Sequence, residues 1–533
     1  MKKFYLLSAV ALLTAVSATG CGKKPDADVD PTKAQLTVYT FEGGVGDQWL
    51  KNAVQLFQEK NKDRTDFEKG KTGVQIRITI DRSASGTVLE TADLNKDIYF
   101  TENVDYYILT NKNKLADITD VLQATQEDGK KIIDKIDSNL VDFMNRDGKY
   151  YAVPFYDCFY GLVYDKDLFA NKGFYMKDDG SFTKLASEFG TGPNGVKGDW
   201  DDGLPKTYEQ FDSMMDRMIL MQVTPFTYSS GNSTYYTSRA LSSYWSDDEG
   251  FEQTNLNYTF NGTAKNIVDH IDNGVAVTKE EKITKDNGYK LRSQAGVYNA
   301  LHFARDILCN DTDNYRSYAL NYDVQSAFIN NKLIGGSNKP IAMMFEGTWW
   351  ENEAANAFAE AKKNGGESFR YGLMPIPKSS DKKVGENATF MNLNESFGFI
   401  NANCKNMELA KEFFAFLHTD EQLKAFTAET NMTRALNYSF TEAEKAALTS
   451  EYAKDLISIK ESDRVDIVYP YSGLDFFVNS GETFSVRSWN WGTKNYTDNP
   501  IIKFIDDKSL TAEAYFNDHK SVISESDWKS LVK

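Results

Sequence analysis

Aromatic rings and carboxylates occur side by side where strands are predicted to end. Phe41 and Glu42 close the first such strand, and Thr101 and Glu102 follow the third. Tyr156 and Asp157 stand after a Val-Pro pair. Glu346, Trp349 and Trp350 follow the apolar run 341–345. Glu395 precedes another apolar run, and Trp489 and Trp491 flank Asn490 near the end. A ring offers a flat apolar face, and a carboxylate or amide accepts or donates along an edge. That mixture suits a molecule with apolar faces and hydroxyl edges, as a sugar has. The same carboxylates admit another chemistry, since two of them about 5–10 Å apart would serve glycosidic hydrolysis. No spacing selects such a pair. An aromatic-rich cleft also leaves a peptide or other small solute open.

Each residue also has a structural role to weigh. Trp49 lies on an amphipathic face and belongs to a core. Of Trp349 and Trp350, one is expected to pack and the other to face a cleft. Glu42 can cap a helix N-terminus. Glu102 and Asp157 can equally be surface carboxylates. Alternation places Trp489 and Trp491 on one strand face, which serves a core or a site equally well.

Several motifs fail. Gly43-Gly44-Val45-Gly46 is no phosphate loop, and Gly70-Lys71-Thr72 lacks the glycine five residues earlier, where Thr65 stands. Asp93-Leu94-Asn95-Lys96-Asp97 opens like a calcium loop but has Ile98 and Val104 where Gly and Glu are needed. Neither HExxH nor CxxC spacing occurs, so no metal and no cofactor is expected. Cys158, Cys309 and Cys404 read as small buried hydrophobes.

The elements that must position these residues alternate. Residues 35–41 read as a strand, and Asp47 caps a helix burying Trp49, Leu50, Ala53, Val54 and Phe57. Residues 74–80 and 98–100 are further strands, and 104–109 a helix. Residues 152–164 read as one long strand entering a hinge. Thr207 caps a helix with Gln210 three residues on, as in a capping box, and Phe211, Met214, Met215, Met218 and Ile219 form its inner stripe. Strands follow at 341–345 and 397–400, then helices at 408–417 and 441–460. Residues 178–202 read as a surface insertion. Strand–helix alternation of this kind implies α/β units, and the length implies more than one core.

At the N-terminus Lys2 and Lys3 precede the apolar run 4–16, which is shorter than the ~20 residues a spanning helix needs. Small residues then lead into Cys21. The order is that of a secretory signal. With 77 Asp and Glu against 60 Lys and Arg, the chain carries a net charge of −17, which disfavours nucleic acid and direct adhesion to anionic lipid. The 29 Tyr, 34 Phe and 8 Trp suffice for a large core with rings to spare.

Taken together, these stretches resemble family 1 extracellular solute-binding proteins, the sugar-capturing subunits of ABC importers. The residues that carry the resemblance are the strand, turn and helix of 36–57; Asp97-Ile98-Tyr99-Phe100; Gly148-Lys149-Tyr150-Tyr151-Ala152-Val153-Pro154 with 161–169; the helix opening 205–211; Ala327-Phe328-Ile329-Asn330-Asn331-Lys332 with 342–349; Tyr371-Gly372-Leu373-Met374-Pro375-Ile376-Pro377; and 410–417. The departures are Asp165, where the family usually has Asn, and a C-terminal part the pattern does not place. The resemblance implies an α/β, two-lobed, periplasmic-binding-protein-like (type II) clamshell with hinge strands between the lobes. The small residues leading directly into Cys21 resemble a bacterial lipobox, which implies a signal peptide at 1–20 and a lipid on Cys21, and the unpackable residues that follow read as a flexible tether, 21–34 in all. Lobe one would hold 35–160 with 396–440, and lobe two 161–395 with 441–533. The expected function is capture of a carbohydrate, an oligosaccharide by the chain's length, and not catalysis. The ligand residues would be Phe41, Glu42, Thr101, Glu102, Tyr156, Asp157, Glu346, Trp349, Trp350, Glu395, Trp489 and Trp491, with Trp349 where the family commonly places a stacking ring. The implied partners are ABC permease subunits. The implied state is a monomer held on the extracellular face of the cell membrane by a lipid on Cys21.

Changing Cys21 to Ser is therefore expected to release the protein into the medium. Retention at the membrane of a chain whose mature N-terminus carries no acyl group would overturn the anchor.

Overall fold

The structure, a computed structural model, describes residues 29–231, 234–330, 339–366, 369–393, 396–471, 491–492 and 499–532. The signal segment, Cys21, Glu395 and Trp489 lie outside these residues.

Two five-stranded sheets organise the chain. In the first, Ala34–Phe41 lies parallel to Val74–Asp81 on one side and to Ile98–Thr101 on the other. Phe397–Ile400 then runs antiparallel to Ile98–Thr101, and Val153–Pro154 closes that edge. The helix Gln48–Lys60 covers one face with the five side chains its periodicity selects, Trp49, Leu50, Ala53, Val54 and Phe57. Residues 30–34, expected within a flexible tether, are instead docked. The Asp30 amide donates to Gln75 Oε1 at 2.7 Å, and the first strand begins at Ala34.

The second sheet is ordered Tyr315–Tyr318, Thr224–Ser229, Ile341–Gly347, Tyr160–Asp165, Tyr371–Met374. Its strands Tyr160–Asp165 and Ile341–Gly347 are buried along their whole length, as befits a sheet covered on both faces. Helix Tyr208–Leu220 buries Phe211, Met214, Met215 and Met218. Thr207 caps it, its Oγ1 accepting from the Gln210 amide at 3.3 Å. The Gln210 side chain reaches back one residue further than a capping box would, to the Lys206 amide at 2.9 Å.

Some elements carry no simple sequence period. Helix Tyr235–Thr259 is interrupted at Gly250 (φ 75°, ψ 170°) and is buried on nearly every side along its first half, so no polar face marks it. The hairpin Gly262–Asp272 and Val275–Ile283 turns through Asn273 and Gly274, both at positive φ, the pairing a tight two-residue turn requires. The C-terminal part adds the strand Val465–Val468, parallel to Ala388–Met391, and helices that pack on the second lobe. Residues 178–202 are not wholly superficial, since Asn194 and Asp201 are buried. Among the described residues no helix is long and apolar enough to cross a membrane.

The expected long strand at 152–164 is two strands in two different sheets, separated by residues 155–159. This stretch is the crossing between lobes, and two other crossing segments brace it. The Phe155 amide donates to Ser396 O at 3.0 Å, Leu393 to Cys158 O at 3.1 Å, and Asp157 to Thr433 O at 2.9 Å. The Asp157 carboxylate ties them further, accepting from Lys460 Nζ and Thr433 Oγ1, each at 2.6 Å. Asp157, placed by sequence among the ligand contacts, is thus a fully buried hinge clasp. Burial pushes its carboxyl pKa up, and the Lys460 ammonium opposes the shift.

Beside it lies the Arg434 guanidinium, fully buried within 5.2 to 5.9 Å of the rings of Trp49, Phe100, Phe155 and Phe426. It donates through Nε to Phe155 O and through Nη2 to His418 Nε2 at 3.0 Å. His418 Nδ1 lies 2.6 Å from Phe414 O, so Nδ1 carries the proton and the ring is neutral. Burial and the neighbouring cation hold its pKa well below the usual value. Desolvation brings the Arg434 pKa down to about 9.

Replacing Asp157 with Asn strands the Lys460 ammonium. A loss of about 3–5 kcal/mol is expected in urea melts, the usual penalty for halving a buried ion pair. Asp157→Leu combined with Lys460→Met is expected to recover much of it. A single-variant loss under about 1 kcal/mol, the scale of exposed pairs, would show that the clasp is not structural.

Candidate functional site

A cavity of about 290 Å3 opens between the two sheets, beyond their strand ends. One side comes from the first sheet and its loops: Phe41, Gly43, Gly44, Arg82, Glu102 and Asn103. Tyr156, in the crossing segment, forms the floor. The other side is Tyr160, Tyr235, Tyr236, Arg239, Trp349 and Glu353. Open α/β sheets place ligands at this location because loops of both halves converge there.

The second-lobe wall is aromatic. The Trp349 ring lies 4.7 Å from Tyr160, edge to face, and 5.7 Å from Tyr236, while Tyr160 and Tyr236 are 5.8 Å apart. Trp349 folds back over Gly347, where a Cβ would lie 2.0 Å from its ring. Only glycine permits that fold-back. The first lobe reaches the same tryptophan through the loop after strand Ala34–Phe41. A Cβ on Gly44 would lie 2.6 Å from Trp349 Cβ and 2.7 Å from its carbonyl oxygen. The lobes are therefore shut against each other at this edge, and Trp349 is only 7% exposed.

Polar groups rim the cavity. Tyr156 donates its hydroxyl to Glu102 Oε1. Arg82 donates through Nε to Glu42 O at 2.6 Å, and its charge favours ionisation of Glu353 across the cleft. Arg239 donates through Nη1 to the Tyr160 hydroxyl at 2.6 Å. Glu353 at the rim and Glu346 behind it form a carboxyl pair bridged by amides. Gln325 Nε2 donates to both at 2.9 Å, and Asn321 Nδ2 donates to Glu346 at 2.6 Å. Burial, then the charge of Glu353, pushes the Glu346 pKa up to about 8. Burial likewise raises that of Glu353.

Of the residues chosen from sequence, Phe41, Glu102, Tyr156 and Trp349 meet at this cavity. The others described lie elsewhere. Trp350 turns from the cleft into the second core, packed 4.5 Å from Tyr371 and 5.3 Å from Phe358. Trp491 is buried, donating through Nε1 to Ser242 Oγ at 3.0 Å. Thr101 is buried and donates to Ala84 O, holding the loop beyond strand Val74–Asp81. Glu42 is exposed, and only its carbonyl takes part, through Arg82. Glu346 stands behind Glu353, and Asp157 clasps the hinge. Sequence reading missed Arg82, Asn103, Tyr160, Tyr235, Tyr236, Arg239, Glu353 and the closure role of Gly44. The i,i+4 pair Tyr235 and Arg239 was available as a signal, since that spacing stacks two side chains on one helix face. Among the described residues no group of His, Cys, Asp or Glu is arranged to hold a metal ion.

The family model for bacterial extracellular solute-binding proteins matches residues 48–424. No curated protein matches the chain by sequence. Among solved structures, RafE from Streptococcus pneumoniae in its apo form is 12% identical with a TM-score of 0.53, covering 95% of this chain and 100% of its own. The cyclic alpha-maltosyl-1,6-maltose binding protein from Arthrobacter globiformis is 13% identical with a TM-score of 0.53, covering 94% and 99%. The GacH receptor of Streptomyces glaucescens is 14% identical with a TM-score of 0.52, covering 94% and 98%. These likenesses establish the two-lobed fold.

Gly44→Ala puts a methyl group into Trp349 only when the lobes are shut. Ligand affinity is expected to fall at least tenfold, about 1.4 kcal/mol, while the unfolding midpoint of the free protein stays unchanged. Trp349→Ala is expected to cost affinity of order 1–3 kcal/mol as a truncated aromatic anchor. Wild-type affinity in both variants, measured by titration calorimetry, would remove this edge from the binding mechanism.

Proposed function

The chain belongs to the bacterial extracellular solute-binding proteins, and from that premise we propose that its cleft captures a carbohydrate and hands it to an ABC importer. The observation that carries the reading is the aromatic wall of Trp349, Tyr160 and Tyr236, which has Arg239 and Glu353 beside it and faces Glu102 and Arg82 across the cavity. Rings meet sugar faces, and the polar rim meets hydroxyl edges. Proteins of the same fold support it: RafE has been solved in complex with raffinose, and GacH in complex with acarbose. The shut cavity is near the lower end of the usual range of about 300–1,000 Å3. It would enclose the end of an oligosaccharide, with the rest of a longer chain leaving by the opening.

On this reading the protein captures its ligand and leaves it chemically unchanged. Cys21 carries the lipid that keeps a monomer at the extracellular face of the membrane, and permease subunits receive the ligand from the closed form. Binding shifts the population of lobe arrangements toward the shut one.

A thermal-shift screen across oligosaccharides tests the reading. A true ligand at 100 times its dissociation constant adds about 2.7 kcal/mol to stability. Small-angle scattering with that ligand is expected to give a smaller radius of gyration. A panel of neutral and acidic oligosaccharides that leaves the melting temperature unmoved would sink the carbohydrate assignment.

A further inference from the structure

Arg239, one turn into helix Tyr235–Thr259, lines the cavity and is partly buried there. Its guanidinium carbon lies 5.3 Å from the Tyr160 ring centre and 5.1 Å from that of Tyr235. Among the described residues its one side-chain hydrogen bond runs from Nη1 to the Tyr160 hydroxyl at 2.6 Å, and no carboxylate lies within ion-pair distance. The other charges at the cavity have partners. Arg82 is exposed and acts on Glu353. Glu353 also accepts from Gln325 at 2.9 Å, and Glu102 accepts from Tyr156. Arg239 thus stands as a cation among rings with Nε and Nη2 unpaired by protein acceptors among the described residues.

A guanidinium in such a place is costly once water is expelled, unless an anion meets it. Sugar hydroxyls accept its hydrogen bonds but leave its charge uncompensated. With Nη1 already committed, Nε–H and the neighbouring Nη2–H remain, two parallel donors in one plane. That fork matches the two oxygens of a carboxylate. We propose that the captured sugar is acidic, with a uronic-acid carboxylate seated on the Arg239 fork. This rests on the carbohydrate reading above and narrows it.

Calorimetric titration of the full-length protein tests it. The probes are trisaccharides of galacturonic, glucuronic and guluronic acid, their carboxyl-reduced neutral forms, a sulfated galactose trisaccharide, and the neutral sugars raffinose and maltotriose. At least one uronide is expected to bind tenfold or more tightly than its reduced form. Arg239→Met is expected to abolish that preference with the melting temperature of the free protein unchanged. Arg239→Lys, which keeps the charge and loses the fork, is expected to retain part of it, and decides the matter if the methionine variant does not fold. Equal binding of reduced and acidic forms, binding of neutral sugars alone, or a preference that survives both substitutions overturns the proposal and leaves the carbohydrate reading standing. A ligand set limited to the sulfated sugar overturns the carboxylate assignment. Binding of none of the probes overturns the carbohydrate reading together with this one.

Discussion

The Asp157 carboxylate accepts from Lys460 and Thr433 at 2.6 Å each, in the middle of the segment that joins the two sheets. The rest of the molecule depends on this contact, because the three segments that cross between lobes are pinned around it. A buried ion pair adds little net stability, since desolvation consumes most of its Coulomb energy. It does make alternatives expensive, and here the alternative is a crossing segment that slips in register. The neighbouring Arg434 acts in the same sense. Its guanidinium is packed among four rings and tied to Phe155 O and a neutral His418. The hinge therefore carries two desolvated cations, and each holds a backbone carbonyl of a segment that joins the lobes.

A fixed hinge matters because the site is assembled from both sides of it. Trp349 stands on the second lobe, and Gly44 stands on the first at a distance that admits no side chain. Gly347 lets the tryptophan ring lie flat over its own turn. Two glycines thus set how closely the lobes approach at this edge and where the ring sits. Chemistry at the cavity follows from the same geometry. Rings from the second lobe supply faces, and Glu102 and Arg82 from the first supply edges. Within the amide-bridged pair burial raises both carboxyl pKa values, that of Glu346 to about 8, while the charge of Arg82 works against the shift at Glu353.

Much of this architecture was legible in the sequence. Helix Gln48–Lys60 buries the five residues its period selects, and the strands at 34–41, 74–81, 98–101 and 397–400 follow their apolar runs. These are local matters, decided by side-chain periodicity and by caps such as Thr207. Helix Tyr235–Thr259 was not legible, because a helix wrapped by protein has no polar face to show. The hairpin at 262–283 turns at Asn273 and Gly274, a local signal the sequence does carry.

By itself the sequence determined the α/β alternation, the family pattern, and the expectation that Phe41, Glu102, Tyr156 and Trp349 lie at strand ends near a ligand. Strand ends of open α/β sheets converge on one cleft, so their position along the chain predicts their position in space. Tertiary structure alone decided which neighbours face that cleft. Trp349 and Trp350 are adjacent, yet one meets Gly44 across the lobes and the other packs against Tyr371. Tyr156 lines the cavity while Asp157 turns into the hinge. Consecutive residues point in different directions, and the environment each meets is built by segments hundreds of positions away, such as Thr433 and Lys460. No local pattern encodes those partners, because burial and pairing are properties of the assembled lobes.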